Sequence, residues 1–292
     1  MRRILSILML IALLSCNHDS SDSGKQIITV SIAPFKYFVT EIAGDDFTVN
    51  VMVPSGANPH IYEPYPHQIE RLNKSVAYIS NGYLGFEMAW LKRFYEINKT
   101  MLKLSVGERI VPVSTGHDHG NEINHAEAAD PHYWVSPKCA RIIALSVKDF
   151  LCELNPEANA KYEKNCSELL MKIDEVDKKA QSLLLEVKGM HFMIFHPNLA
   201  YIARDYGLVE IAVEFEGKEP PPSRLKELID LAAKENINTI FVQKEYDSRN
   251  ARTIAAEIGA EIRVIDPLSE NWMESTLDII DGLYNSLAKG RK

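Results

Sequence analysis

Hydrophobic positions in this chain alternate between two periods. "QIITVSI" (26–32) is an almost unbroken apolar run, the pattern of a strand buried on both faces. "PFKYFVTEIAG" follows at helical spacing, with Pro34 suited to a first turn and Gly44 to a stop. "FTVNVMV" (47–53) predicts a second strand, Pro66 to Lys74 a short helix, and "VAYIS" (76–80) a third strand. "FEMAWLKRFYEIN" predicts a helix, and short strands are expected near 101–105 and 110–113. Ser136 and Pro137 then open a helix to about Leu154 as cap and first turn.

From Pro156 to Lys188 the pattern changes. No glycine or internal proline interrupts the segment, and Tyr162, Leu169, Ile173, Val176, Leu183 and Val187 form a narrow apolar stripe. One long helix is the expectation, because the stripe is too short and too poorly heptad-patterned for a coiled-coil arm. Alternation then resumes: strands at "HFMIF", "LVEIAV", "TIFVQ" and "EIRVI", and helices at "NLAYIARDYG", "SRLKELIDLAAKEN", "SRNARTIAAEIG" and "ESTLDIIDGLYNSLAK". Strands alternating with helices imply parallel sheets covered by helices. The predicted fold is α/β, with two lobes, 26–155 and 189–292, joined by the long helix 156–188. In such sheets ligands sit beyond the carboxyl ends of the strands, so the loops after strands are the place to look for function.

The N-terminus stands apart. "MRRILSILMLIALLSC" has two arginines, a short apolar run from Ile4 to Leu14, and then Ser15-Cys16, which reads as a secretory signal too short for a comfortable membrane span. "LLSC" resembles a bacterial lipobox, so residues 1–16 are expected to form a lipoprotein signal peptide ending at Cys16, the lipidated residue. Residues 17–25 are polar and suited to a tether.

Composition narrows the classes further. The 292 residues are 46% hydrophobic and 25% charged, with a net charge of −8 and no sustained basic run in the body, which argues against a nucleic-acid surface. Beyond Cys16 the cysteines are Cys139, Cys152 and Cys166, an odd number with no C-x-x-C pair, and they read as small buried hydrophobes.

Four side chains have matching addresses. His60 in "ANPHIYEP", His132 in "DPHYW", His196 in "IFHPN" and Asp266 in "VIDPL" all lie in loops after predicted strands, two from each lobe. Adjacent prolines stiffen these loops, which lowers the entropy lost when a side chain is held in one direction. Each alone has a plain structural explanation: a turn histidine, a helix cap, a core-edge histidine, an aspartate accepting backbone amides. Together they make a donor set suited to a borderline-soft divalent ion, although spacings this long prove no convergence. Glu63 and Glu245 are candidates to hold the histidines' second nitrogens. His18, His67 and His191 read as structural or solvent-facing.

"NPHIYEP", "DPHYW", "FHPNLAYIARDYGL" and "VIDPL", in this order around one long helix, resemble the metal-binding solute-binding proteins of ABC importers, the cluster A-I or cluster 9 family, in its zinc-type members. The resemblance runs from about Gln26 to Ala288. It implies two α/β lobes bridged by a rigid helix, a metal cleft between them, and only modest lobe movement. It implies His60, His132, His196 and Asp266 as the metal ligands, with Zn²⁺ as cargo and Mn²⁺ or Fe²⁺ as the alternatives. Its implied partners are an ABC membrane permease and, through Cys16, a membrane. The chain is expected to be a monomer outside the cytoplasm, on the periplasmic side or cell surface, and not an enzyme. The loop 115–130, with His117, His119 and His125, matches a histidine-rich loop thought to gather metal in such proteins. One departure stands out: where the family commonly has H-x-A-F-x-Y, this chain has H-P-N-L-A-Y, with Pro197 after the histidine and Leu199 in the aromatic position.

Two other classes compete. A zinc hydrolase would need an open metal position and a base in reach, and no H-E-x-x-H is present. An adhesin or structural surface lipoprotein would bind its partner without metal. For the receptor, binding requires deprotonated imidazoles, so affinity is expected to fall as pH drops through the ordinary histidine range near ~6.5.

Overall fold

The structure, a computed structural model, describes residues 24–114, 129–214, 220–246 and 248–290. The first lobe is built on β1 (Gln26–Ile32), β2 (Phe47–Val53), β3 (Ser75–Ser80) and β4 (Leu102–Ser105), all parallel and in the order β2-β1-β3-β4. The second uses β5 (His191–Ile194), β6 (Val209–Ala212), β7 (Thr239–Gln243) and β8 (Glu261–Ile265), also parallel, in the equivalent order β6-β5-β7-β8. This is the two-lobed α/β fold expected from the alternation. The strand ends of both sheets therefore present comparable sets of loops.

Helices cover the sheets as the apolar spacing dictates. In the first lobe these are α1 (Ala33–Ala43), α2 (Pro66–Asn73), α3 (Gly85–Ile97) and α4 (Pro137–Leu154). In the second they are α6 (Ala200–Tyr206), α7 (Pro222–Lys234), α8 (Ser248–Ile258) and α9 (Trp272–Lys289). The segment 110–113 is not a strand. After β4 the chain enters a 3₁₀ turn at Val106–Arg109, and Ser114 makes only an isolated bridge with Ala129. Ser136 precedes α4 as expected but makes no side-chain cap; its hydroxyl donates instead to Asp205 across the lobes.

The long helix α5 spans Asn159–Leu184, with 3₁₀ turns at Pro156–Ala158 and Leu185–Val187. Its buried face is Tyr162, Cys166, Leu169, Ile173, Val176, Ala180 and Leu184; Leu183 is only half-buried. Cys166 and Ala180 belong to the stripe because they fall on the same three- and four-residue steps. The helix is tied to both lobes: Asn165 Nδ2 donates to Ile42 O at 2.9 Å in α1, and Lys179 pairs with Asp281 of α9 at 2.8 Å. The exposed ion pair adds little; burial of the apolar face does most of the work, at about 1.5–3 kcal/mol for each fully buried large aliphatic or aromatic side chain.

One apolar core runs through both lobes. It joins Val30, Phe38 and Tyr78 of the first lobe to Trp134, Ile173, Tyr201, Trp272 and Leu283. A separate cluster around Met193, Val213, Leu228, Ile240 and Ile254 packs the other face of the second sheet. Polar stitches cross the same boundary: Trp134 Nε1 donates to Pro267 O at 2.8 Å, and Trp272 Nε1 donates to Trp134 O at 2.7 Å. The lobes thus share a buried, hydrogen-bonded joint. Among the described residues no helix is long and apolar enough to cross a membrane.

Candidate metal centre

His60 lies in the loop between β2 and α2, and several local interactions fix its direction. Asn58 Oδ1 accepts the His60 backbone N–H at 2.9 Å, a tight turn of the kind short polar side chains make. Phe86 N donates to Pro59 O at 3.3 Å, which presses the loop against the start of α3. This approach requires Gly85, because a Cβ there would lie 2.7 Å from His60 O. Downstream, Gln68 Oε1 accepts from Tyr62 Oη and Tyr65 N, both at 2.9 Å, while its amide donates to Val51 O and Met52 O. Stiffness around this imidazole therefore comes from the prolines, the Asn58 turn, the Gly85 contact and the Gln68 clamp together.

The "DPHYW" segment is anchored residue by residue. Asp130 Oδ1 accepts both the His132 backbone N–H at 2.7 Å and His132 Nδ1 at 2.9 Å. Tyr133 Oη donates to Asn81 O at 2.8 Å beyond the end of β3, and Trp134 makes the inter-lobe bonds described above. From the other lobe, Tyr201 Oη of α6 donates to Asp130 O at 2.7 Å. His132 is consequently 4% exposed.

His196 leaves β5 and is gripped from three sides. Gln243, fully buried at the end of β7, donates to His196 O and accepts from His196 N. Glu214, just past β6, contacts His196 Nδ1 at 2.7 Å through Oε2. Tyr246 stacks on the imidazole face with ring centroids 4.8 Å apart and planes 18° apart. The Asn58 side chain hydrogen-bonds the Tyr246 hydroxyl, so this residue serves both the His60 turn and the His196 stack.

The three imidazoles converge. His60 Nε2 is 3.3 Å from His132 Nε2 and 3.1 Å from His196 Nε2. Among the described residues these three form the one group of three or more His, Cys, Asp or Glu whose ligand atoms all fall within 4.8 Å. Because the carboxylates of Asp130 and Glu214 can only accept, His132 and His196 carry their proton on Nδ1 and turn an Nε2 lone pair inward. Lone pairs crowded in this way repel unless a cation sits among them. Nitrogens at ~2.0–2.1 Å from a tetrahedral ion stand about 3.4 Å apart, close to the spacings found here. Burial, aided by the neighbouring histidines, pushes His60 down to about 2, and burial also lowers His196 against the opposing pull of Glu214. Both are therefore held neutral, the form that binds metal.

Asp266 does not join the group. It follows β8 as predicted, but its carboxylate meets Lys244 Nζ at 3.2 Å and Ser55 Oγ at 3.3 and 3.5 Å. The carboxylates that hold the histidines are Asp130 and Glu214, neither of which sequence reasoning picked out. Glu63 is exposed, and Glu245 has a buried oxygen without a hydrogen-bond partner. The signals were present: Asp130 stands two residues before His132 within the quoted motif, and Glu214 follows a strand end. His67 lies on α2, stacked on Tyr65, and His191 begins β5 and pairs with Glu235 at 3.0 Å. Cys139, Cys152 and Cys166 are free thiols, the first and last buried. Cys16, His18, His117, His119 and His125 lie outside the described residues.

Fold and site together define a two-lobed binding protein with a buried histidine centre at its strand ends. Residues 28–290 match the family described as zinc-uptake complex component A, periplasmic, and the chain belongs to that family. It is 29% identical over 287 residues to the zinc-binding lipoprotein AdcA of Streptococcus pneumoniae, with 94% of this chain and 56% of that protein covered. The chain thus spans little more than half the length of that relative. A putative metal-binding protein of Chlamydia trachomatis is 26% identical over 97% of this chain and 99% of its own. Among solved structures, ZnuA superposes with a TM-score of 0.83 at 34% identity, covering 90% of this chain and 100% of that one. A ZnuA deletion mutant with zinc bound gives the same TM-score and identity.

Proposed function

We propose that this chain is an extracytoplasmic zinc receptor that captures Zn²⁺ with His60, His132 and His196 and delivers it to the permease of an ABC importer. Three inward-facing imidazole nitrogens about 3 Å apart, two of them backed by carboxylates, are the observation that carries this reading. Imidazole suits zinc among the divalent ions available to such a site. Membership of a zinc-uptake family supports the transport role, and the named binding of AdcA and ZnuA supports the cargo. The protein stores and releases its ion rather than transforming a substrate. On this reading Cys16 carries the lipid anchor, residues 17–25 act as a tether, and His117, His119 and His125 supply a weaker auxiliary site.

The test is metal content and competition titration on the mature chain lacking residues 1–24, with the segment 115–128 present or deleted. The expected result is one tightly held zinc per chain, retained after the deletion and lost in His60→Ala. Absence of tight metal in either form would reject the receptor reading and favour a surface adhesin.

A further inference from the structure

The turn that leaves β7 reaches back to the first lobe. Tyr246 N donates to Gln243 O at 3.1 Å, so one turn supplies both the side chain that grips the His196 backbone and the ring that stacks on the His196 imidazole. Phe195 packs edge-on against the same ring with centroids 6.1 Å apart. At the ring's far end the hydroxyl bonds the Asn58 side chain, and Asn58 Oδ1 accepts the His60 backbone N–H at 2.9 Å. A half-buried phenol of this kind satisfies its polar tip while its body keeps an apolar contact. Other polar contacts also cross between the lobes, among them Tyr201 Oη to Asp130 O and Lys36 to Glu270, both at 2.7 Å. In the Asn58–Tyr246 contact each end rests directly on a histidine of the centre, one through a hydrogen bond and the other through a stacked ring.

We propose that Tyr246 is a positioning residue of the metal centre: through Asn58 it ties His60 of the first lobe to His196 of the second and slows the release of the bound ion. This inference rests on the metal-receptor reading. His60 Nε2 and His196 Nε2 stand 3.1 Å apart, so an ion held by both closes a ring of contacts through His60, Asn58, Tyr246 and His196. For the ion to leave, an imidazole must turn away or the two loops must part. The stack resists the first movement, and the hydroxyl bond resists the second. Contacts that hold an assembled site together act mostly on its dissociation rate, and less on the rate of capture.

The experiment is stopped-flow measurement of Zn²⁺ uptake, and of Zn²⁺ release to a chelator, on the full chain for the wild type, Tyr246→Phe, Asn58→Ala and the double variant. Thermal unfolding of each metal-free chain accompanies it. Tyr246→Phe keeps the stack and loses the hydroxyl bond. Its release rate is expected to rise about two- to tenfold, the effect of one net hydrogen bond, with uptake rate and unfolding midpoint close to wild type. Asn58→Ala should speed release at least as much, and adding Tyr246→Phe to it should change nothing further, because the hydroxyl acts through Asn58. Release at the wild-type rate from Tyr246→Phe overturns the proposal. So does an undiminished effect of Tyr246→Phe in the Asn58→Ala background, which would separate the hydroxyl from the His60 turn. A parallel fall in uptake rate and unfolding midpoint overturns it as well, since the ring would then be a structural support only. If the wild type takes up no Zn²⁺, the receptor reading itself fails, and this inference with it.

Discussion

Glu214 Oε2 lies 2.7 Å from His196 Nδ1, with both side chains largely buried, so a carboxylate from beyond β6 sets the tautomer of an imidazole from beyond β5. The contact fixes which nitrogen faces the other histidines and raises its basicity as a ligand. Replacing Glu214 with Ala is expected to weaken zinc binding by about 10–100-fold while the chain stays folded. Competition titration reads the affinity, and circular dichroism checks the fold. Wild-type affinity in this variant would mean that Tyr246 and Gln243 suffice to orient the ring.

The pH response differs from that of three ordinary imidazoles. Such a set would weaken binding by about 10³ between about pH 7.5 and 5.5, since each ligand would take up a proton near ~6.5. Here burial lowers His60 to about 2 and also lowers His196. Protons therefore compete for both nitrogens below the ordinary range, for His60 far below it. The expected loss over that interval is therefore smaller than about 10³. Zinc titrations at both pH values decide the matter, and a loss near 10³ would show the imidazoles titrating independently. For His60 and His196 the fall expected near ~6.5 moves to lower pH because desolvation, invisible in a motif, dominates, at His196 against the pull of Glu214.

The fold was legible because the apolar period switches cleanly and proline or glycine punctuates most elements. His60, His132 and His196 were legible as addresses, since each follows a strand and sits beside proline. Their convergence was not, because it depends on two sheets 136 residues apart in chain order at His60 and His196. The holding carboxylates were harder still. Asp130 was part of the quoted DPHYW motif but had no role assigned, and Glu214 lay beyond a short strand with no motif around it. Lys244 could be paired with Asp266 only once the β7–β8 register was known. The segment 110–113 misled because its valines and isoleucine mimic a strand, but among the described residues it pairs with no strand; its backbone instead serves Asp130, Tyr201 and Arg204.

Glu87 predicts a pH-dependent stability. It is 1% exposed at the start of α3, accepts from Asn81 N and Gly82 N, and is raised by burial to about 7. In the unfolded chain the same carboxyl titrates near its ordinary value of 4.5. Between these values the folded state keeps a proton that the unfolded state has released, so this group's contribution to stability falls as pH rises from about 4.5 to about 7. Glu87→Gln, which resembles the protonated acid, is expected to gain stability relative to wild type as pH rises from about 5 to about 8. Paired urea denaturations at both pH values measure the difference, and a constant difference would place the Glu87 proton elsewhere.

Trp272 tests whether the lobes are joined as a single frame. Its indole N–H donates to Trp134 O, while Trp134 donates to Pro267 O, so hydrogen bonds pass from the second lobe to the first and back. Both rings are at least 98% buried. Trp272→Phe removes one donor, leaves a buried carbonyl without its partner and shrinks a packed ring beside Tyr37 and Phe38. The unpaired carbonyl and the cavity together are expected to cost about 2–4 kcal/mol. Because the joint belongs to the continuous core, the loss should appear as a lower urea midpoint in one cooperative transition, with little change in its slope. Two separated transitions in the variant would instead mean that each lobe folds on its own and that the tryptophan pair is only a contact between finished domains.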